Sequence, residues 1–280
     1  MNTPKIYRIA AFSLDNKGGN PAGVALIDNA LLEENMLAIA HEVGYSETAF
    51  LHPEKEGWRV RYFSPEIEVD FCGHATIAAG KVLGKRFGIG TYKLYINKGE
   101  ISLEVKETKD SDLIMTIQSP ETWSKQAPES VVAKVLDLFH LTTSDLNTHF
   151  PVRYAYAGAT HLILVLKDRQ TLSDMAYDFK MGQALMLEEG LVTISLLWTE
   201  SVNVFHSRNA FASGGIYEDP ATGAAAAALA GYLRDINWKG NNEFKIIQGE
   251  DMGVPSHLFV EFTPLKGSSV KISGSAHNLE

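Results

Sequence analysis

Hydrophobic and polar residues alternate along many short stretches of this chain. Such stretches include IYRIAAF, WRVRYF, YKLYI and ISLEV, and Gly, Asn, Asp or Pro separates many of them. Alternation with a period of two is typical of strands whose sheet is buried on one face. The pattern therefore predicts a protein rich in antiparallel sheet.

A few segments have the spacing or composition of helices instead. Residues 31–43 place apolar side chains near one face, and residues 73–87 are alanine-rich and predicted to be amphipathic. Residues 130–139 form a third predicted helix, with Pro128 just ahead as a start signal. The run AAAAALA at 224–230 is typical of a helix interior, since alanine is the best helix former. A sheet-rich chain with a few helices predicts an α+β fold.

The chain also repeats part of its own pattern. Residues 61–79 read RYFSPEIEVDFCGHATIAA, and residues 209–227 read NAFASGGIYEDPATGAAAA. Phe63 and Phe211 precede the tetrapeptides CGHA and PATG, two predicted helix starts, by the same spacing. A period near 148 residues is too long for a solenoid. It predicts two pseudo-symmetric domains, each a mostly antiparallel sheet or barrel wrapped around a central helix. Chance similarity among small residues is the alternative.

The predicted boundaries follow from this repeat. The first domain covers residues 1–118 and the second covers residues 119–265. A C-terminal segment, residues 266–280, could return to the first domain. The polar stretch 118–130 contains two prolines and is predicted to connect the halves.

Composition narrows the class of protein. Hydrophobic residues make up 45% of the 280 residues, which is enough for a packed core. The net charge of −9 and the lack of a long basic run argue against nucleic-acid or membrane-surface partners. A single cysteine cannot form an internal disulfide, and no apolar run reaches the ~18 residues of a membrane span. We therefore expect a cytoplasmic enzyme.

The two predicted helix starts are candidate anion sites. A helix N-terminus carries unpaired N–H groups and partial positive charge, and glycine lets an anion approach the backbone. Gly73 with His74, and Thr222 with Gly223 and Ala224, have this character. Facing one cleft, they would hold a carboxylate, a phosphate or a developing enolate. Alternatively, these glycines are simply turn residues.

Glu47 is the candidate base. It lies in GYSETAFLH, between a predicted helix and an apolar strand, and small polar residues flank it. A partly buried glutamate in a cleft could exchange protons near neutral pH. A solvated charge at a sheet edge is the competing interpretation.

Three further residues have alternative interpretations. His74 could donate a hydrogen bond or shuttle a proton, and a metal role is disfavoured because the sequence has no HExxH and no cysteine pair. Cys72 could be a nucleophilic thiolate or a small buried residue. Asp219, just before Pro220, is predicted to cap the helix, and it could also orient a substrate ammonium or His74.

These residues together resemble the phenazine-biosynthesis-like isomerases, the PhzF-like family with a diaminopimelate epimerase-like fold. The matching stretches run from near residue 6 to near residue 276 and are GNPAGV (19–24), GYSETAFL (44–51), RYFSPEIEVDFCGHAT (61–76), EDPATGAAA (218–226) and VKISGSA (270–276). CGHAT and DPATG at this separation are specific, although each alone would be weak.

The resemblance implies a function. It implies two similar α+β domains with the active site between them, and a cofactor-independent proton shift on a small carboxylate or amino-acid-like substrate. Glu47 would be the catalytic base, and His74 and Asp219 the other polar catalytic groups. The substrate-binding positions would be Asn20, Ser46, Gly73, Thr222, Gly223 and Ala224. The resemblance suggests a homodimer and requires no cofactor and no metal.

Two departures from the relatives leave the substrate open. The epimerases keep one cysteine at each helix start, whereas here Cys72 is matched by Pro220 in the second tetrapeptide. Some phenazine-type relatives carry serine after DPATG, where this chain has Ala224. The alternatives to the isomerase are a racemase or epimerase using Cys72, and a small-molecule or protein-binding module with a relic site.

Overall fold

A computed structural model describes residues 4–109 and 112–279 of the chain. The chain divides into two compact units. The first unit runs to Gln118 and includes the chain again from Ser273, and the second unit is Ser119–Ile272. Both units combine helices with runs of mostly antiparallel strands, so the predicted α+β class is confirmed. Within the described ranges, none of the helices is long and apolar enough to cross a membrane.

The first unit contains a closed barrel. Its described strands are β1 (Ile6–Ser13), β2 (Asn20–Leu26), β3 (Thr48–Glu54), β4 (Gly57–Phe63), β5 (Glu68–Val69), β6 (Gly90–Ile96), β7 (Gly99–Glu107), β8 (Leu113–Gln118) and the end of β17 (Val270–Asn278). Pairing runs from β17 through β1, β2, β3, β4, β6, β7 and β8 and returns to β17. The pairs β2–β3 and β4–β6 are parallel, and β5 adds to β4 as a short extra strand.

One helix, α2 (Gly73–Phe87), packs against β1, β2, β3, β7 and β8. Every residue from His74 to Gly84 is buried, so the expectation of an amphipathic helix is wrong over this part. Glycines make the fit possible: an added Cβ at Gly80 would lie 2.6 Å from Cγ of Met115, and one at Gly84 would lie 2.7 Å from Cγ1 of Val105. The small residues of the sequence therefore mark a helix surrounded by sheet.

The other helix of the first unit, α1 (Glu33–Val43), packs against β3 and β4. Its buried residues Met36 and Ala40 join a cluster with Phe50 and Phe63. The helix begins two residues later than the predicted residue 31, and its C-terminus is followed by Gly44 in the left-handed region at φ 72°.

The second unit repeats the design. Its described strands are β9 (Trp123–Gln126), β10 (Arg153–Tyr156), β11 (Thr160–Leu166), β12 (Thr193–Ser201), β13 (Val204–Ala210), β14 (Glu218–Asp219), β15 (Glu243–Gln248) and β16 (Ser256–Phe262). Its helices are α3 (Glu129–Leu138), α4 (Arg169–Ser173), α5 (Phe179–Glu189) and α6 (Gly223–Asp235). The predicted connector at 118–130 is wrong in part, because β9 pairs with β10 and Trp123 stacks on Tyr156.

The order of strand pairing confirms the internal repeat. Three consecutive pairings have the same directions in both units: parallel, antiparallel and parallel. They are β2–β3, β3–β4 and β4–β6 in the first unit, and β11–β12, β12–β13 and β13–β15 in the second. A short strand then precedes each buried helix, β5 before α2 and β14 before α6. Residues Ala225 to Arg234 of α6 are buried, as in α2.

The register of the repeat differs from the predicted one. Four residues (64–67) join β4 to β5, whereas seven (211–217) join β13 to β14. The longer connection shifts the second helix, so Gly223 follows Gly73 by 150 positions rather than 148. Cys72 is therefore matched by Thr222 and not by Pro220, and His74 is matched by Ala224.

Candidate active site

The backbone of Glu47 is fixed by a neighbouring strand. Glu47 lies immediately before β3, and its carbonyl oxygen accepts a hydrogen bond of 3.1 Å from the N–H of Gly23 in β2. Gly23 lies opposite Thr48 in this parallel pair. An added Cβ at Gly23 would lie 2.6 Å from Oγ1 of Thr48, so glycine lets the two strands approach closely here. Gly23 of the GNPAGV motif thus fixes the backbone of Glu47 at the point where β3 begins.

The side chain of Glu47 lies beside His74. Nε2 of His74 lies 3.5 Å from Oε2 of Glu47 and 3.3 Å from Oγ of Ser46. The His74 side chain is 7% exposed and that of Glu47 is 16% exposed. The first distance is in the range of an ion pair and slightly long for a hydrogen bond, as is common for catalytic pairs without substrate. Three predicted site residues of the first unit are therefore in contact.

Cys72 completes this cluster from the other side of the ring. Its Sγ lies 3.3 Å from Nδ1 of His74 and accepts a 3.5 Å hydrogen bond from the N–H of Ala75. Cys72 is the N-cap of α2, and its thiol is buried. The groups form one chain of contacts from Cys72 through His74 to Glu47 and Ser46.

Distance alone would allow Cys72, His74 and Glu47 to share a metal ion, since one ligand atom from each lies within 4.8 Å of the others. The contacts of the ring divide between its two nitrogens, with Cys72 beside Nδ1 and Glu47 beside Nε2, so the same three groups also form one chain of contacts through His74.

A buried layer supports the helix start. The hydroxyl groups of Tyr62 and Thr76 lie 2.7 Å apart, and Oγ1 of Thr76 lies 2.6 Å from the carbonyl oxygen of Cys72, to which it donates. Burial raises the pKa of Tyr62 well above its usual value, so this phenol stays neutral. These bonds hold the Cys72 backbone and thereby the position of its thiol.

The second unit places its predicted residues at the start of α6. Thr222 is the N-cap residue, so the prediction that Asp219 caps the helix is wrong. Asp219 is instead the last residue of β14, and its Oδ2 accepts a hydrogen bond of 2.5 Å from Oγ1 of Thr222. Pro220 and Ala221, which join β14 to the N-cap, lie outside the helix. Asp219 is 5% exposed, so its carboxylate is held in a defined orientation.

Gln248 is a site residue that sequence reasoning missed. Its Nε2 donates to the carbonyl oxygen of Asp219 at 2.7 Å and to Oγ1 of Thr222 at 3.0 Å. Its Oε1 accepts from the N–H of Thr222 at 3.3 Å. The one signal in the sequence is the glycine that follows it, Gly249. In the structure Gly249 has φ 72°, and an added Cβ there would lie 2.9 Å from the carbonyl oxygen of Pro220. Gln248 and Gly249 together hold the DPATG segment.

A buried ion pair lies next to Asp219. Nε of Arg208 donates to Oε1 of Glu218 at 3.0 Å, and its Nη2 donates to Oε2. Nη1 of Arg208 also donates to the carbonyl oxygen of Ser173 at 2.8 Å. The side chains of Arg208 and Glu218 are 11% and 3% exposed. This pair fixes the short strand β14 against β13.

The remaining predicted residues have defined positions in the two units. Asn20 is the buried first residue of β2 and lies opposite Ala11 of β1. Gly73 and Gly223 are the first residues of α2 and α6. Ala224 is partly exposed and has no polar side-chain group to offer a ligand.

Two barrel-like units with the same pairing order, each carrying a buried helix that begins beside polar residues, define the class of the protein as a duplicated α+β fold. The chain belongs to the phenazine biosynthesis-like protein family, whose model matches residues 9–280. This confirms the resemblance inferred from the sequence motifs.

Individual relatives agree with this assignment. The uncharacterized isomerase YfhB of Bacillus subtilis is 27% identical and covers 99% of this chain and 97% of its own length. An uncharacterized isomerase of Clostridium acetobutylicum is 32% identical and covers 97% of this chain and 94% of its own length. The crystal structure of a Bacillus anthracis phenazine biosynthesis protein of the PhzF family matches with a TM-score of 0.89 at 23% identity, over 100% of this chain and 98% of that chain. The last match shows the fold.

Proposed function

We propose that this protein is an isomerase that shifts a proton on a small carboxylate or amino-acid-like substrate, with Glu47 as the base. One observation carries the proposal: a mostly buried carboxylate, that of Glu47, lies 3.5 Å from Nε2 of His74 at the start of the buried helix α2. Family membership and the relatives named as isomerases support the same reaction class.

The reaction follows from these groups. A C–H acid needs a positioned base, and the carbanion-like state that forms needs stabilisation of negative charge. Glu47 removes the proton from one carbon and returns it to another position on the same face of the substrate. The N–H groups at the start of α2, around Gly73, and the side chain of His74 stabilise the charge that develops. In this scheme the protein needs no cofactor.

The second unit supplies the other part of the proposal. Asp219 orients a polar group of the substrate, and the backbone N–H groups around Gly223 bind its carboxylate. The bonds from Gln248 and Thr222 support this role because they fix the position of the Asp219 segment. That both helix starts serve one substrate stays a prediction, as do the homodimer and the cytoplasmic location.

Proton exchange tests the role of Glu47 even while the natural substrate is unidentified. The protein is incubated in D₂O with a panel of amino acids and conjugated cyclic carboxylates, and NMR follows the replacement of C–H by C–D. We expect exchange on one class of compound and a loss of about 10²-fold or more in Glu47→Gln. Glu42→Gln, in an exposed part of α1, is the matched control. Equal exchange by Glu47→Gln and the wild-type protein would refute the assignment.

A second candidate function rests on the contact between Cys72 and Nδ1 of His74. A racemase or epimerase could use this thiol as its base. The corrected repeat register places Thr222 at the position matching Cys72, and the chain has a single cysteine, so it does not carry the pair of thiols that a two-thiol mechanism uses. Full exchange activity in Cys72→Ala would remove this candidate. Binding of panel compounds without exchange would favour a binding module instead.

A further inference from the structure

We propose that Cys72 is a positioning residue that holds His74 in the tautomer with its proton on Nε2, so that an N–H group faces Glu47. The inference rests on the proposed role of Glu47 as the base, but its test does not require a substrate. It assigns to Cys72 a role other than nucleophile, base or buried apolar residue.

The argument begins with what each ring nitrogen of His74 faces. In a neutral imidazole one nitrogen donates a hydrogen bond and the other accepts one. Nε2 faces Oε2 of Glu47, which only accepts when ionised, and Oγ of Ser46, which can do either. A proton on Nε2 therefore satisfies both neighbours. A lone pair on Nε2 would instead lie 3.5 Å from a carboxylate and would be repelled by it.

The other ring nitrogen must then accept a hydrogen bond. Nδ1 lies 3.3 Å from Sγ of Cys72, and a thiol S–H is a donor. The same sulfur accepts from the N–H of Ala75 at 3.5 Å, so donor and acceptor roles are both used. The assignment gives every polar atom in this chain of contacts a compatible partner.

The position of the thiol is itself fixed. Cys72 is the N-cap residue of a helix buried along most of its length, and its carbonyl oxygen accepts a hydrogen bond from Oγ1 of Thr76. The Thr76 hydroxyl is in turn hydrogen-bonded to the hydroxyl of Tyr62. Sγ is therefore held in hydrogen-bond range of Nδ1, which is what a residue that sets a tautomer requires.

The identity of the residue at position 72 then has a consequence. Alanine offers no donor to Nδ1, so only Glu47 still favours the proton on Nε2 and the preference for that tautomer weakens. Serine offers both a donor and an acceptor, and it is also a good N-cap residue. Cys72→Ser should preserve the preference for this tautomer, and Cys72→Ala should reduce it.

Nitrogen NMR of protein with ¹⁵N-labelled histidine measures the tautomer directly. Spectra are taken at about pH 8, above the ordinary histidine pKa. His74→Asn identifies the His74 signals by their disappearance. We expect wild-type His74 to show a protonated Nε2 and an acceptor Nδ1, and Cys72→Ser to show the same pattern. In Cys72→Ala we expect a mixture that includes the tautomer protonated on Nδ1.

A capping variant separates this effect from a general loss of helix stability. Asp178 caps α5 and accepts from the N–H of Met181 at 2.9 Å, so Asp178→Ala removes a cap without touching His74. The His74 signals should not move in this variant. A proton on Nδ1 in the wild-type protein, or an unchanged pattern in Cys72→Ala, would overturn the proposal. Neither result bears on whether Glu47→Gln stops proton exchange, so the two proposals can fail separately.

Discussion

The side-chain amide of Gln248 donates a 2.7 Å hydrogen bond to the backbone oxygen of Asp219, 29 residues earlier in the chain. The same amide group contacts both the side chain and the backbone N–H of Thr222. A single side chain thus ties β15 to the segment that leads into α6.

Removing this amide should loosen the second helix start. Gln248→Ala leaves the buried carbonyl group of Asp219 without this donor, and an unsatisfied buried polar group costs about 1–3 kcal/mol. We expect a decrease of that size in the free energy of unfolding, measured by urea denaturation. Gln248→Glu should be at least as damaging, because it replaces a donor with an acceptor.

Gln170 provides a matched control for this experiment. Its Nε2 donates to Oδ1 of Asp174 on the protein surface, and it also lies in the second unit. Gln170→Ala should therefore change the free energy of unfolding by less than about 0.5 kcal/mol. Equal effects of the two substitutions would contradict the role given to Gln248.

Gly23 should be intolerant of even one methyl group. In Gly23→Ala the new Cβ would lie 2.6 Å from Oγ1 and 2.9 Å from Cγ2 of Thr48, so β3 must shift next to Glu47. Overpacking of this kind typically costs about 1–3 kcal/mol. We expect a lower free energy of unfolding together with weaker proton exchange, measured by denaturation and by the deuterium assay.

A double variant tests whether the clash with Thr48 is the cause. Within the described residues Oγ1 of Thr48 has no hydrogen-bond partner, so Thr48→Ala loses packing but no bond. Gly23→Ala combined with Thr48→Ala should be more stable than the sum of the single effects predicts. If the two substitutions have additive effects on the free energy of unfolding, the clash with Thr48 is not the cause of the destabilisation.

The buried pair of Arg208 and Glu218 should contribute far more than any surface pair. Glu218→Ala leaves a buried guanidinium without its carboxylate, which typically costs about 3–5 kcal/mol. Replacing both residues, as in Arg208→Met with Glu218→Leu, should cost less than Glu218→Ala alone, because no buried charge remains. Denaturant unfolding followed by tryptophan fluorescence measures these differences.

The surface pair of Lys134 and Glu188 gives the comparison. Their side chains are 46% and 61% exposed, and Nζ of Lys134 lies 2.7 Å from Oε1 of Glu188. Exposed pairs contribute about 0–1 kcal/mol, so Glu188→Ala should have a small effect. A loss in Glu218→Ala no larger than that in Glu188→Ala would contradict the prediction.

The sequence alone was sufficient for the repeat and for the family, because both depend on local signals. Alternating runs mark the strands, and CGHAT and DPATG mark the two helix starts. The exact register was out of reach, because the connection between β13 and β14 is three residues longer than that between β4 and β5, and no local pattern marks this difference in length. Asp219 was wrongly predicted to be the helix cap for another reason: proline is common at the first position of a helix, whereas α6 begins three residues after Pro220.

The burial of α2 and the role of Gln248 were missed for a different reason. Both depend on contacts between residues far apart in the chain. By their intrinsic preference Gly80 and Gly84 are weak helix formers. Their role is to let Met115 and Val105 approach the helix closely, and this contact is visible only in the fold. Gln248 is an ordinary polar residue in the sequence, and only the fold places it beside Asp219.

His161 should make the second unit sensitive to acid. Complete burial lowers the pKa of His161 to about 3, from an ordinary value of 6.5. Above pH 6.5 the side chain is neutral in both the folded and the unfolded state, so it carries no penalty. Below pH 6.5 the unfolded state binds a proton that the folded state does not, and stability falls as the pH decreases towards 3. The loss should approach about 1.4 kcal/mol per pH unit from this residue.

His161→Asn should reduce that dependence. Nδ1 of His161 and Oγ1 of Thr193 lie 2.8 Å apart, and an asparagine amide can occupy a similar position without titrating. The free energy of unfolding is measured in urea at about pH 7 and about pH 5 for the wild-type protein, for His161→Asn and for the exposed control His149→Asn. We expect the decrease between the two pH values to be smaller by about 1 kcal/mol or more only in His161→Asn. The same decrease in all three proteins would show that other groups govern acid unfolding.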